Sequence, residues 1–263
     1  MKTRALVLAA LLASCGSPLL TGQEALQALH GRCSISAADK PDRVRFELEE
    51  DDCGGDRGHC NHNDNEMPVS NFSGFSLDDL RHDGAHVEAT IAGEPGKLTC
   101  AGTVQDLVLS GEATFVPDQG FVAHMQQLGF TGLHSRLLEA YTLFHVQVAW
   151  VQGLQSAGVT GIDADKIVAL RIFKVDEAFA RAMADLGYPK LSADKLIAFR
   201  IHGVNADEVH AYRTLGYQPT ADELIQMRIF RVTPEFIRHM QSRGLGDLTI
   251  SKLVQVRIFN LAE

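Results

Sequence analysis

Residues 176–204 read DEAFARAMADLGYPKLSADKLIAFRIHGV, and this stretch decides the fold. Asp176 suits a helix N-cap, because its carboxylate can accept from the free N–H groups of the first turn. Phe179, Met183 and Leu186 follow at i, i+4 and i+7, one face of a short helix, and Phe179 and Met183 are expected to pack between neighbouring units. Gly187 then ends the helix, since glycine enters the left-handed conformation without steric cost. Ser192 caps a second helix whose expected core face is Leu196, Phe199 and Ile201.

The same pattern recurs on both sides. Gly129, Gly158, Gly187, Gly216 and Gly244 are spaced 29, 29, 29 and 28 residues apart. Eight residues before each stands an anchor: Phe121, Trp150, Phe179, Glu208 and Phe236, with the glutamate breaking the aromatic series. Asp118, Asn205 and Thr233 supply further caps for the first helices, and Pro234 sits at the favoured first helical position. Asp163, Thr220 and Thr249 cap second helices, with Thr220 and Glu223 spaced as a capping box. Ile167, Leu170 and Ile172, then Leu224, Met227 and Ile229, then Leu253, Val256 and Ile258 are the expected core of those helices. Helices of about ten residues are unstable alone, so stacked copies must share one core. The fold class expected is α+β, with an α-solenoid of five two-helix repeats over residues 117–263.

One polar position also recurs. Arg171, Arg200, Arg228 and Arg257 stand near the ends of the second helices, with Thr142 in the first unit's slot. Such a row can bind carboxylates or phosphorylated ligands. It can equally satisfy the last carbonyls of each helix, or an acid in the next unit. The last unit keeps its apolar pattern through Leu253, Val256, Ile258, Phe259 and Leu261. Its outer face is therefore an expected contact site, for a partner or a second copy, unless Phe259 and Leu261 fold back over it.

The N-terminal half differs in character. The formal net charge of −9 lies wholly within it: residues 1–117 carry 18 acidic and 9 basic side chains, against 15 and 15 in residues 118–263. Without a basic footprint, nucleic acid is excluded as a partner. Lys2 and Arg4 precede the apolar run Ala5–Ala13, which has the length of a signal h-region and is too short to span a bilayer. Leu12-Ala13-Ser14-Cys15 resembles a bacterial lipobox, in which Cys15 is lipidated and anchors the chain to a membrane. Residues 1–15 are expected as this signal, 16–39 as a linker and 40–116 as a small disulfide-linked β-domain. Cys33, Cys53, Cys60 and Cys100 are even in number and confined to this half, which suggests two disulfides in an oxidising compartment. The preferred pairing is Cys33–Cys100 with Cys53–Cys60.

Val44, Phe46 and Leu48 alternate with charged residues, as do Val87, Ala89 and Ile91 with their neighbours, predicting four or five antiparallel strands. Glu94-Pro95-Gly96 offers a type II turn centred on Pro95-Gly96. Residues 49–66 are dense in Asp, Glu, Cys and His, including His59 and His62, but their spacing fits neither zinc nor calcium loops, so they read as an acidic surface hairpin. No metal and no cofactor is expected. Enzyme signatures are missing: there is no Gly-x-Ser-x-Gly elbow and no phosphate-cradling loop, and His86-Val87-Glu88 lacks the Pro-Cys-x-x-Cys that would make it a deaminase motif.

Val232-Thr233-Pro234-Glu235-Phe236-Ile237, the step Leu186-Gly187-Tyr188 and the run Leu191–Ile197 followed by Arg200-Ile201-His202-Gly203-Val204 resemble a repeat of exported bacterial proteins. Similar repeats form extracytoplasmic tails of beta-lactam-sensor (antirepressor) membrane metallopeptidases. The resemblance covers residues 117–260, and Gly102–Pro117 resembles the small β-domain that often precedes these repeats. It implies an extracytoplasmic sensing or interaction module. It carries over no protease, because His-Glu-x-x-His is missing here. The expectation is a non-enzymatic, lipid-anchored envelope protein that binds another protein, or itself, through its helices. The alternative is a sensing subunit that binds a small ligand.

Overall fold

In the computed structural model, which describes residues 26–50 and 62–259, a curled antiparallel sheet is followed by ten helices, so the α+β expectation holds. The strands are β1 (Leu29–Ala37), β2 (Arg43–Glu50), β3 (His62–Pro68), β4 (His86–Gly93), β5 (Gly96–Gln105) and β6 (Val108–Pro117). They lie in the order β3-β2-β1-β6-β5-β4. Val44, Phe46 and Leu48 point into the core, as their alternation predicts. The expected linker over residues 16–39 is corrected: its last third is β1, which lies between β2 and β6 and brings the described strands to six rather than four or five. Its inward face carries Gly31 and Cys33 beside Ile35, so the alternation is present but carries little apolar weight.

Cys33 of β1 and Cys100 of β5 form the expected disulfide, with Cα atoms 5.9 Å apart. Neighbouring strands sit about 4.8 Å apart, so a flat sheet would hold β1 and β5 roughly 10 Å apart with β6 between them. Curling brings them together, and small residues on β6 permit it: Gly111 is opposite Cys33, and Ala113 is opposite Cys100. Gly102 and Gly111 also face each other, and a Cβ on either would come within 2.1 Å of a carbonyl oxygen across the pair. The β4–β5 turn is one residue out of its expected register, with Glu94 and Pro95 at its tip and Gly93 paired to Gly96. Gly96 is needed for space, since its Cβ would lie 2.4 Å from the Val116 carbonyl oxygen. Cys15, Cys53, Cys60, Leu261 and most of the acidic Cys/His stretch lie outside the described residues. The Cys33–Cys100 bridge spans a sequence separation of 67. Reducing it should lower unfolding stability by about 4 kcal/mol through the freed chain entropy. Urea titrations with and without reductant measure this, and coincident curves would show that the bridge constrains nothing.

The helices are α1 (Gln119–Gln127), α2 (Ser135–Leu143), α3 (Val148–Ser156), α4 (Ala164–Ile172), α5 (Glu177–Asp185), α6 (Ala193–His202), α7 (Ala206–Thr214), α8 (Ala221–Ile229), α9 (Pro234–Ser242) and α10 (Ile250–Ile258). Asp118, Asp163, Asp176, Ser192, Asn205, Thr220, Thr233 and Thr249 all accept from a first-turn N–H, and Thr220 with Glu223 closes the capping box. The five spaced glycines all take positive φ just after α1, α3, α5, α7 and α9. Even-numbered helices pack in succession from α2 to α10, while α1 packs on α3, α3 on α5 and α7 on α9.

The sheet meets the helices at one end. α2 packs against β4, β5 and β6. At α3 the N-cap residue Gln147 makes no side-chain capping bond; Glu94 at the β4–β5 tip accepts from the Val148 N–H instead, at 2.8 Å. A hairpin thus caps a helix more than fifty residues away in sequence.

Two buried tyrosines tie helices to one another. The Tyr141 hydroxyl donates to the Ala164 carbonyl (2.6 Å) and that of Tyr212 to the Val232 carbonyl (2.9 Å). Burial pushes the Tyr212 hydroxyl up to about 12, aided by the charge of Glu208, and raises Tyr141 further with help from Asp165 and Asp163. Folded values above the ordinary one mean that the stability these groups contribute is complete below about pH 10 and is lost as pH rises through the folded value. Urea midpoints should therefore fall between roughly pH 10 and 12, and Tyr212→Phe should flatten that fall. An unaltered alkaline limb in the variant would contradict the assignment.

Candidate interaction face

Three of the four recurrent arginines fasten their second helix to the one before. Arg171 Nε and Nη2 donate to the carbonyls of Phe144 and His145 (3.0 and 3.1 Å), beyond the end of α2. Arg228 Nε donates to His202 (2.7 Å) and Arg257 Nε to Arg231 (3.1 Å). These are orphan carbonyls of a helix C-terminus, and they belong to the preceding second helix rather than to the arginine's own. The same guanidinium groups cover the anchors of the first helices. Arg171 lies 5.2 Å from the Trp150 ring centroid, Arg200 3.8 Å from Phe179 and Arg257 4.0 Å from Phe236. Where the anchor is Glu208, Arg228 forms an ion pair with it. The exception in the sequence is thus the same contact made with a carboxylate in place of a π face. Phe179 is half-buried, packed on the helical core with Arg200 over its ring, while Met183 is fully buried.

A second set of bonds joins the first helices. Gln155, Arg213 and Gln241 donate to the carbonyls of Leu128, Leu186 and Leu215, each one unit earlier. At the opposite ends of the second helices, Lys166 pairs with Asp194 (3.1 Å) and Lys195 with Asp222. N-terminal ends therefore meet N-terminal ends, and C-terminal ends meet C-terminal ends. The helices α2, α4, α6, α8 and α10 all run in one direction.

Ile172, Ile201, Ile229 and Ile258 are not core residues as expected. Their exposures are 48%, 52%, 48% and 49%, whereas Leu170, Phe199 and Met227 two residues earlier are inaccessible. Five residues beyond Ile167 a helix has turned about 500°, which sets Ile172 some 140° away from it. These isoleucines belong to a different face, which begins at the second helical residue: Asp165-Val168-Ile172, Asp194-Ile197-Ile201, Asp222-Ile225-Ile229 and Ser251-Val254-Ile258. The i, i+3, i+7 spacing holds in all four, and that recurrence was the available signal. On α2 the same positions hold Arg136, Glu139 and Leu143, with Glu139 and Leu143 buried, so the exposed face starts at α4. With helices 8–10 Å apart, the row is roughly 25–30 Å long. Phe173 and Phe230 border it at about a third exposed, and Phe259 is 66% exposed.

No family model, curated protein or solved structure matches the chain. Among the described residues, no group of three or more His, Cys, Asp or Glu is placed to hold a metal ion, and no helix is long and apolar enough to cross a membrane. The arginines and Phe259 named from sequence stand near the C-terminal ends of the second helices, and the apolar side chains that recur exposed beside them are the isoleucines.

Glu208 Oε2 is buried without a hydrogen-bond partner, and an unmet buried polar atom costs stability. Glu208→Phe should restore the aromatic anchor beneath Arg228 and leave the chain at least as stable as the parent. Glu208→Ala should lose about 1 kcal/mol, because it removes the packing and leaves Arg228 unpaired. Thermal and urea unfolding of both variants test this, and a clear loss in Glu208→Phe would reject the equivalence.

Proposed function

We propose that this chain is a non-enzymatic interaction protein in which the ten helices form an α-solenoid of five two-helix repeats, with the isoleucine row as its docking surface. The observation that carries the reading is repetition: one surface position is an exposed isoleucine in four successive parallel helices. Scattered exposed apolar residues are ordinary, but an aligned row of them marks a contact site. Hydrogen bonds that recur across 26–31 residues, such as Tyr188 to Pro219 and Tyr217 to Leu248, support reading the helices as stacked copies of one unit. The reading places the chain outside the cytoplasm, anchored to a membrane through a lipid on Cys15. The apolar run ending in Leu12-Ala13-Ser14-Cys15 supports this, and a disulfide suits an oxidising compartment.

Capture from detergent-solubilised membranes tests the proposal. The parent chain should recover a stoichiometric protein partner, and a double variant Ile201→Glu, Ile229→Glu should recover none while keeping its thermal midpoint, since both side chains already stand half in solvent. Equal recovery by parent and variant would remove the isoleucine row from the interaction.

A further inference from the structure

Two of the four second helices of the exposed face, α4 and α8, carry opposite charges at their two ends, on either side of an aliphatic pair. Asp165 and Lys174 bracket Val168 and Ile172 on α4, and Asp222 and Arg231 bracket Ile225 and Ile229 on α8. All four charged residues are exposed, and among the described residues Lys174 and Arg231 make no ion pair. Asp222 is held only by a surface contact with Lys195, a kind of pair that exchanges partners readily. The basic residues also stand in an unusual place. Lys174 and Arg231 have φ of 54° and 52°, the left-handed conformation that disfavours residues with a Cβ. Gly203 occupies the same slot after α6 with φ 68°, so the backbone accepts glycine there. The first helices use glycine in the corresponding slot every time. After α4 and α8, as at His145 after α2 (φ 51°), a side chain is held at a conformational cost that glycine would avoid.

This arrangement complements itself. An antiparallel copy of α4 laid face to face on α4 sets Asp165 against the second copy's Lys174, Lys174 against its Asp165, and Ile172 over its Val168. The same operation pairs Asp222 with Arg231 on α8. Because α4 and α8 run parallel, one two-fold axis along the row of helices satisfies both sets of pairs at once, as an isologous interface requires. A two-fold axis along the helices instead would set acid against acid and base against base. We infer that the isoleucine face pairs with the same face of a second copy of this chain, α4 on α4 and α8 on α8. This rests on the docking role proposed for that face.

Sedimentation velocity of the purified chain should show a dimer at roughly 100 µM, where even a pair with Kd near 10 µM is mostly associated. Ile201→Glu with Ile229→Glu should weaken that association at least about tenfold. Charge reversal then tests the pairing itself. An all-basic chain (Asp165→Lys, Asp222→Lys) and an all-acidic chain (Lys174→Asp, Arg231→Asp) should each be monomeric alone and should dimerise on mixing. Aspartate tolerates the left-handed slot, and an unchanged circular dichroism melt shows that each variant is folded. A monomeric parent overturns the pairing but leaves the wider docking role to the membrane capture, whose readout is a different protein. A dimer indifferent to the isoleucine and charge variants, or variants that fail to pair on mixing, overturns it as well.

Discussion

The helices hold their order because of one contact that recurs from Arg171 to Arg257, a guanidinium group set against the anchor of the helix before its own. In two of the units it spans an aromatic ring and a carbonyl at the end of the previous second helix at the same time. Short helices leave several carbonyls without partners at their C-termini, and ten short helices multiply that problem. Here the arginine of the following unit meets part of it. The bond exists only when two units are stacked in register, so it rewards the correct neighbour and no other arrangement. Arg228 and Glu208 show that the position tolerates a change of chemistry provided the guanidinium group keeps a partner.

The sheet supplies the boundary condition for this stack. A terminal unit lacks a neighbour to cover its core, and α2 finds that cover in β4, β5 and β6. Glu94 completes the junction by capping α3, whose own sequence provides no effective cap. The curl of the sheet, closed by Cys33 and Cys100 over Gly111 and Ala113, sets the shape presented to α2.

Much of the helical half was legible in the sequence because its signals are local. A cap such as Asp176 and a stop such as Gly187 each act within a turn or two, so spacing alone locates them. The exposed isoleucines were misread for a related reason. Ile172 and Ile167 share a helix, and apolarity alone does not say which face a residue joins; only the angle between them does. In the sheet, β1 escaped notice because its inward residues include Gly31 and Cys33, whose fit depends on strands far away in sequence. The hairpin that caps α3 leaves no trace near α3 at all. Contacts made at a distance are what a single sequence conceals, and the junction between sheet and helices consists of them.

The central placement of β1 separates the chain into two kinetic regimes. Leu29 pairs with Phe115, so β6 must be in place before β1 has its second neighbour, and a loop of more than eighty residues closes in the process. The helices close much shorter loops, each unit docking on the one just before it, and local contacts of that kind form far faster than long-range strand pairs. A chain released from denaturant should thus gain helix before it gains sheet. The early helical stack needs only the consecutive strands β4, β5 and β6 for its cover at α2, and β1 joins the free edge of β6 afterwards. The strand least visible in the sequence is the one whose arrival completes the molecule.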